Sequence, residues 1–200
     1  PHNTYLLTSS DQDGWWVDDQ GGGDSFNTLL NSYWDKYPVL QLPSNASAHQ
    51  IILEDNLLYL PQVEADEHWY WDMLPAPSSK EYPFNINHLP ENMVPEQNGY
   101  IRIVVNGSTE AGNVNPDHHL EVNINGQVVA DEWWDGIGRK MVEGSFPANL
   151  LRNGENSLTI SSPGDTGVAA DIYHLDWIKI YHPRTFQAVG DQLFFNAPGD

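Results

Sequence analysis

The chain has 200 residues, no cysteine, and 28 acidic against 8 basic side chains, which gives a formal net charge of −20 at pH 7. The missing cysteine excludes disulfides, a thiolate nucleophile and cysteine-ligated zinc, and the negative charge argues against nucleic-acid and anionic-membrane partners. No stretch approaches the roughly 18 apolar residues of a membrane-spanning helix, so we expect no membrane insertion. Divalent cations, cationic surfaces and neutral ligands such as sugars are the counterparts that this charge favours.

Residues 1–48 form an acidic, glycine-rich N-terminal extension. Residues 5–8 have the composition of a short strand. Apolar residues recur at helical spacing further along, at Phe26, Leu29, Leu30, Tyr33 and Trp34. This spacing predicts one short helix over residues 25–36, which Pro38 would end.

The clearest strand signal lies in the middle of the chain. Leu120, Val122 and Ile124 alternate with polar residues, which is the period of a half-buried strand. Asn125-Gly126 follows at once and predicts a type I′ hairpin turn, because both central residues of that turn need a positive φ. A second strand should therefore return antiparallel to the first.

Residues 49–184 read throughout as strands divided by turn residues, and residues 185–200 as a C-terminal strand or tail. Pro83 lies within a strand-like run and indicates a sheet edge, because proline cannot donate to a ladder. Residues 147–151 are too short for a helix and predict one tight turn, and residues 172–181 predict a long strand. We therefore expect a mainly β fold, an antiparallel jelly-roll β-sandwich with one short N-terminal helix.

The segment from His118 to Pro183 resembles a known module. Its motifs run in the order WDG, PANLL, NGENSLTI, GDTG, DIYHLDWIKIY and PRTF, and EHWYWD with YPF upstream fits the same pattern. Together they resemble the β-sandwich module that precedes the catalytic domain in bacterial secreted gingipain-type cysteine peptidases, and more broadly the galactose-binding-like jelly roll of many carbohydrate-binding modules. The resemblance covers roughly residues 50–190. It implies a non-catalytic, extracellular or cell-surface module whose catalytic domain lies outside this chain, although a fold alone does not settle function.

Tryptophan doublets are the candidate ligand platforms, because sugars stack their C–H faces on exposed aromatic rings. Adjacent residues of a strand point to opposite faces, so one tryptophan of each doublet should be core and the other exposed. The predicted ligand-binding residues are Trp15, Trp16, Trp133 and Trp134. Three further tryptophans are predicted to lie in the core: Trp69, Trp71 and Trp177.

Oxygen and imidazole side chains offer two possible metal sites. Asp165 and Asp171 lie near strand ends and are predicted calcium ligands. His118 and His119 diverge on a strand, so the two alone do not chelate one ion well. His119 and His174 either meet across strands in a metal site or serve as hydrogen-bonded structural histidines. Carboxylate pairs that would run glycoside chemistry have no geometry fixed by the sequence, so no catalytic residue is predicted.

Taken together, these patterns favour a non-catalytic extracellular β-sandwich module for binding or assembly, with glycans as the expected partner. The alternative is a structural subunit of an extracellular filament or surface layer, assembled by strand donation through the C-terminal strand. The predicted assembly residues are Phe186, Val189, Leu193 and Phe195.

Overall fold

The structure, a computed structural model, describes residues 38–61 and 67–186 with their side chains, and residues 5–9 and 15–19 as backbone strands. The latter are β1 (Tyr5–Ser9) and β2 (Trp15–Asp19), which pair antiparallel. The predicted helix over residues 25–36 lies outside the described residues. Among the described residues, no helix has the length and apolarity needed to cross a membrane.

Strands make up more than half of the rest of the described chain. Its elements are β3 (Ala46–Glu54), β4 (Leu58–Tyr59), β5 (Trp69–Tyr70), β6 (Asp72–Pro75), β7 (Ser78–Ile86), β8 (Asn98–Gly107), β9 (His118–Ile124), β10 (Gln127–Trp134), β11 (Gly138–Pro147), β12 (Gly154–Ser162) and β13 (Ile172–Thr185), with a 3-10 turn at Ala148–Leu150.

Two antiparallel sheets enclose one core. The four-stranded sheet has the order β10-β9-β12-β7, and the five-stranded sheet has the order β11-β8-β13-β3 with β6 added beside β13. Alternating residues of both sheets meet in a single hydrophobic cluster, in which Val122, Leu158, Ile103 and Ile178 are fully buried. The prediction of a mainly β fold with antiparallel sheets is confirmed, and the finer jelly-roll class stays a prediction.

The predicted turns are present. Asn125 and Gly126 have φ values of 50° and 86°, as the type I′ hairpin between β9 and β10 requires. Residues 148–150 form the single tight turn expected from their length. Pro83 lies on β7, an outer strand of the four-stranded sheet, which confirms the predicted edge position.

The tryptophans divide between interior and surface in a way that the sequence predicts only in part. Trp177 is 9% exposed and Trp71 packs partly buried against the core, as expected. The prediction for Trp69 is wrong, because this side chain is 46% exposed. The aromatic run is broken into β5 and β6 at Trp71, and within β5 the buried position goes to Tyr70.

Candidate functional site

Two adjacent histidines at the start of β9 face opposite sides of the four-stranded sheet. Leu120 and Val122 point into the core, so alternation directs His118 inward and His119 outward. The side chain of His118 is fully buried, and that of His119 is 7% exposed because neighbouring groups cover it on the outer face.

The loop of residues 163–171, which joins β12 to β13, supplies one carboxylate to each histidine. Asp171 Oδ1 lies 2.6 Å from Nδ1 of His118, and Asp165 Oδ1 lies 2.7 Å from Nδ1 of His119. The backbone N–H of His119 also donates to Asp171 Oδ2 at 3.3 Å. The loop is therefore fastened to β9 on both faces of the sheet.

The two tryptophans at the end of β10 complete the arrangement. Trp134 stacks on His118 with ring centroids 4.7 Å apart and planes 18° from parallel, and Trp133 stacks on His119 at 3.7 Å and 14°. We call the resulting cluster the His–Trp junction; its members are His118, His119, Trp133, Trp134, Asp165 and Asp171. Four of these six were predicted site residues, and the structure brings all four together.

The inner half of the junction is a sealed ionic cluster. Nε2 of His118 lies 3.0 Å from the carbonyl oxygen of Thr109, so both ring nitrogens face acceptors and both need a hydrogen. Burial alone would lower the pKa of His118, but the hydrogen bond and charge of Asp171 and the charge of Asp117 outweigh it, so the pKa is raised. A Cβ atom on Gly107 would come within 2.9 Å of His118 Nε2, so the ring has no room beside it.

Asp117 closes the same cluster from the loop before β9. Its carboxylate accepts backbone N–H groups of Gly136 at 2.8 Å and Ala111 at 2.7 Å. Burial would by itself raise the pKa of Asp117, but these two donors and the charge of His118 lower it. The side chains of His118, Asp117 and Asp171 thus all have hydrogen-bond partners within the chain, whereas Nε1 of Trp134 is buried without one among the described residues.

The outer half is exposed to solvent. Nε2 of His119 lies 3.0 Å from Oδ1 of Asp131, and the side chains of Asp131 and Asp165 are 55% and 51% exposed. Trp133 is 42% exposed although His119 covers one of its faces. The Trp133 ring, which is stacked on His119, therefore lies beside the half-exposed carboxylates of Asp131 and Asp165.

Polar side chains extend this open surface across the sheet. Alternation places the non-core residues of β9, β12 and β7 on the same outer face as Trp133. Asn123 donates to Glu121 at 2.8 Å, and the hydroxyls of Ser79 and Ser161 lie 3.0 Å apart. The outer face of the four-stranded sheet is thus a polar surface with one exposed tryptophan at its end.

The residues present do not make a calcium site by themselves. Asp165 and Asp171 each bond to a histidine, and the described residues contain no group of three or more histidine, aspartate or glutamate side chains able to hold a metal ion. Ca²⁺ takes 6–8 oxygen ligands in proteins. Calcium binding by these two residues therefore stays a prediction.

The remaining predicted site residues lie elsewhere. Trp15 and Trp16 are on β2, and their side chains are outside the described part of the chain. Phe186 directly follows β13 and is 47% exposed. Val189, Leu193 and Phe195 lie outside the described residues, so the assembly hypothesis stays a prediction.

Sequence reasoning missed the two histidines as the centre of the site. The available signal was a histidine doublet placed just before an alternating apolar strand, which assigns one ring to each face of the sheet. The partners of both rings lie in a loop 46 to 53 residues away, and no local pattern points to that contact.

A scan against protein-family models and a search of curated proteins found no match to this chain. Among solved structures, the chain is similar to dimeric latent PorU from Porphyromonas gingivalis, with 12% identity and a TM-score of 0.55 over 76% of this chain and 14% of that chain. It is also similar to the CBM36-1 domain of a multidomain xylanase from the hindgut metagenome of Trinervitermes trinervoides, with 10% identity and a TM-score of 0.43 over 71% of this chain and 99% of that one. The chain thus spans 14% of the length of the PorU structure, and the resemblance of its fold to a β-sandwich module within a larger protein is confirmed.

Proposed function

We propose that this chain is a non-catalytic binding module that takes neutral glycans on the outer face of its four-stranded sheet. The observation that carries the proposal is the exposed, histidine-backed ring of Trp133. An extracellular or cell-surface location goes with this proposal, since the residues that resemble secreted modules include this sheet.

The geometry of Trp133 suits a sugar platform. One face of the indole is fixed on His119 at 3.7 Å, and 42% of the residue is exposed. A ring held in place before binding loses little conformational freedom when a ligand stacks on it, which favours affinity. Aromatic rings offer a large apolar area at low entropic cost, so this is the strongest contact point on the sheet.

The neighbouring polar groups suit the hydroxyls of a sugar. Asp131 and Asp165 accept hydrogen bonds and are half exposed beside the ring. Their charge, together with the net charge of −20, repels anionic polymers and leaves neutral glycans as the favoured ligands of this face.

A catalytic role has less support. The histidine–carboxylate dyad of His118 and Asp171 is fully buried, and the hydrogen bonds of both side chains go to other groups of the chain. The exposed carboxylates Asp131 and Asp165 both bond to the ring of His119 instead of facing a cleft. A surface for binding is the function that this geometry supports best.

The test is a glycan array on the purified chain, followed by titration calorimetry with the best ligand. Trp133→Ala should weaken binding by about tenfold or more, as for a central aromatic contact. Trp69→Ala is the matched control, because Trp69 is similarly exposed at 46% but lies on β5. Circular dichroism should show both variants folded.

Two outcomes would overturn the assignment. Unchanged affinity of Trp133→Ala would remove the outer face from consideration. Loss of affinity in Trp69→Ala alone would move the site to the patch where Trp69 packs against Tyr59 at 5.0 Å.

A second candidate function, self-assembly by strand donation, is favoured by one observation at the C-terminus. β3 is an outer strand whose described pairing is with β13 alone, and Phe186 follows β13 directly. An unpaired strand edge is a ready acceptor for a strand of another molecule. Head-to-tail addition without closure would build a filament.

Deleting residues 186–200 tests this second candidate. If the C-terminal segment is donated, the full chain should sediment as a polymer and the shortened chain as a folded monomer. Identical monomeric sedimentation of both proteins would refute donation.

A further inference from the structure

A cleft opens between the outer strands of the two sheets, on the side of the sandwich away from the His–Trp junction. β3 and β13 form one wall and β7 with the residue after it forms the other. The cleft has a volume of about 140 Å³, and its polar lining residues are His49, His182, Arg184, Asn85 and Asn87, with two isoleucines between them. We call it the seam cleft.

His182, one of the residues that line the seam cleft, has an unsatisfied hydrogen-bond acceptor. The residue is 1% exposed, and its Nδ1 lies 2.8 Å from the carbonyl oxygen of Pro183. A carbonyl only accepts, so Nδ1 carries the hydrogen and Nε2 carries the lone pair. Nε2 is buried and has no hydrogen-bond partner among the described residues. A buried polar atom of this kind calls for a donor such as a hydroxyl group.

Arg184 supplies the positive charge of the cleft. None of the ion pairs formed by the described residues involves Arg184, although acidic side chains outnumber basic ones 28 to 8 in the chain. The lysines and arginines that do form such pairs are Lys80, Arg102, Arg139 and Lys140. The guanidinium of Arg184 therefore stands ready for an external carboxylate, which it can hold with two parallel hydrogen bonds.

The lining carries no negative charge. Its seven residues include neither aspartate nor glutamate. His49 packs edge-on to His182 with ring centroids 5.3 Å apart, and burial followed by the charge of Arg184 lowers the pKa of His49, so this ring stays neutral at pH 7. On a protein with a net charge of −20, the seam cleft is a place where an anion meets no opposing carboxylate in the wall.

We propose that the seam cleft binds the acidic end of a hydroxylated sugar acid, with Arg184 pairing to the carboxylate and His182 Nε2 accepting a hydroxyl. Asn85 and Asn87 donate and accept further hydrogen bonds from the opposite wall. A volume of about 140 Å³ is several times the roughly 10–15 Å³ that a cavity needs to hold one water molecule. The cleft therefore admits the carboxylate and its neighbouring hydroxyls, while the rest of the ligand stays outside. This site is separate from the Trp133 platform and does not depend on it.

The experiment is an NMR titration of the full chain with D-glucuronate, observing the ring protons of His49 and His182. D-Glucose, which has hydroxyls but no carboxylate, and propionate, which has a carboxylate but no hydroxyls, are the comparison ligands. We expect saturable shifts of both rings with glucuronate and at least about tenfold weaker binding of each comparison ligand, since each lacks one of the paired contacts.

Arg184→Gln should weaken glucuronate binding by about tenfold or more, as expected for a charged contact at the centre of a site. Arg152→Gln is the matched control, because Arg152 is exposed and the one hydrogen bond described for its side chain goes to the backbone carbonyl of Glu155 at 2.8 Å. Trp133→Ala should bind glucuronate as the parent does. This variant therefore distinguishes a failure of the seam-cleft proposal from a failure of the proposed glycan site at Trp133.

The proposal is overturned if glucuronate leaves both rings unshifted, or if Arg152→Gln weakens binding as much as Arg184→Gln. Equal binding of propionate would remove the hydroxyl contact to His182. Equal binding of glucose would remove the carboxylate contact to Arg184.

Discussion

The ionisation of single residues follows from where their rings lie. His182 and His118 are both almost fully buried, yet their pKa values move in opposite directions. Burial lowers the pKa of His182 to about 4, because its ring faces a carbonyl and no carboxylate. At His118 the same burial is outweighed by Asp171, and the pKa is raised. The neighbouring acceptor decides the direction in each case.

His182 should make the protein less stable in mild acid. Its pKa is 6.5 when unfolded and about 4 when folded, so the unfolded chain takes up the proton first as the pH falls. The stability that it contributes is complete above pH 6.5 and is lost as the pH falls through 4. Between pH 7 and pH 5 the loss is about 2 kcal/mol.

Urea unfolding of the parent and of His182→Gln at both pH values measures this effect. The parent should lose about 2 kcal/mol more than the variant between pH 7 and pH 5, because glutamine does not titrate. Equal losses would show that the buried neutral ring does not control the acid response.

At the scale of elements, β11 passes very close to the edge of β10. A Cβ atom on Gly144 would lie 2.2 Å from the carbonyl oxygen of Val129 and 3.1 Å from the Cβ of Ala130. Both neighbours belong to β10, where Ala130 pairs with Val122 of β9 and Val129 lies at the irregularity between Val128 and Ala130, so the pairing of Ala130 resists its displacement. Glycine at this position lets the two sheets approach each other at their edges.

Gly144→Ala should therefore destabilise the fold by about 1–3 kcal/mol, the range for overpacking a close contact. Gly112→Ala is the control, because a Cβ atom there would meet nothing within 4 Å. Thermal unfolding followed by circular dichroism compares the two. Equal melting temperatures would mean that the strands separate at little cost.

Local patterns predicted elements well where one residue type determines the backbone or the face. Leu120, Val122 and Ile124 gave β9 its buried face, and Asn125-Gly126 gave the hairpin its two positive φ angles. The exposed position of Trp69 was not predictable, because the break between β5 and β6 depends on which sheet each short strand joins.

The sequence predicted several residues of the candidate site but not the tertiary contacts that bring them together. Trp133, Trp134, Asp165 and Asp171 stood out as residue types. The alternation rule predicted one buried and one exposed tryptophan without saying which, and the buried one is Trp134. Their meeting at two histidines is a tertiary contact between a hairpin and a distant loop, and short-range periodicity carries no information about it. The seam cleft was missed for the same reason, since its walls come from strands far apart in the chain.

At the scale of the whole molecule, the net charge of −20 produces electrostatic repulsion between copies of the chain at neutral pH. Carboxylates have reference pKa values near 4, so most of this charge disappears as the pH falls below about 4. Static light scattering should rise between pH 7 and pH 4 if repulsion is what keeps the chain dispersed. A constant signal, with circular dichroism showing the protein still folded, would contradict this.

The hydrogen bonds between loop 163–171 and β9 also favour one pairing register of β9 over a register shifted by one residue. A shift of β9 by one residue would turn every side chain to the opposite face, bringing His119 into the interior and Leu120 into water. Positions 118 and 119 are both histidine, so a histidine would still face the interior at the start of β9 after such a shift. The loop distinguishes the two alignments, because Asp171 reaches only the inward ring and Asp165 only the outward one in the native pairing. The contacts of these two aspartates, which lie six residues apart, therefore form together only when β9 is in its native register.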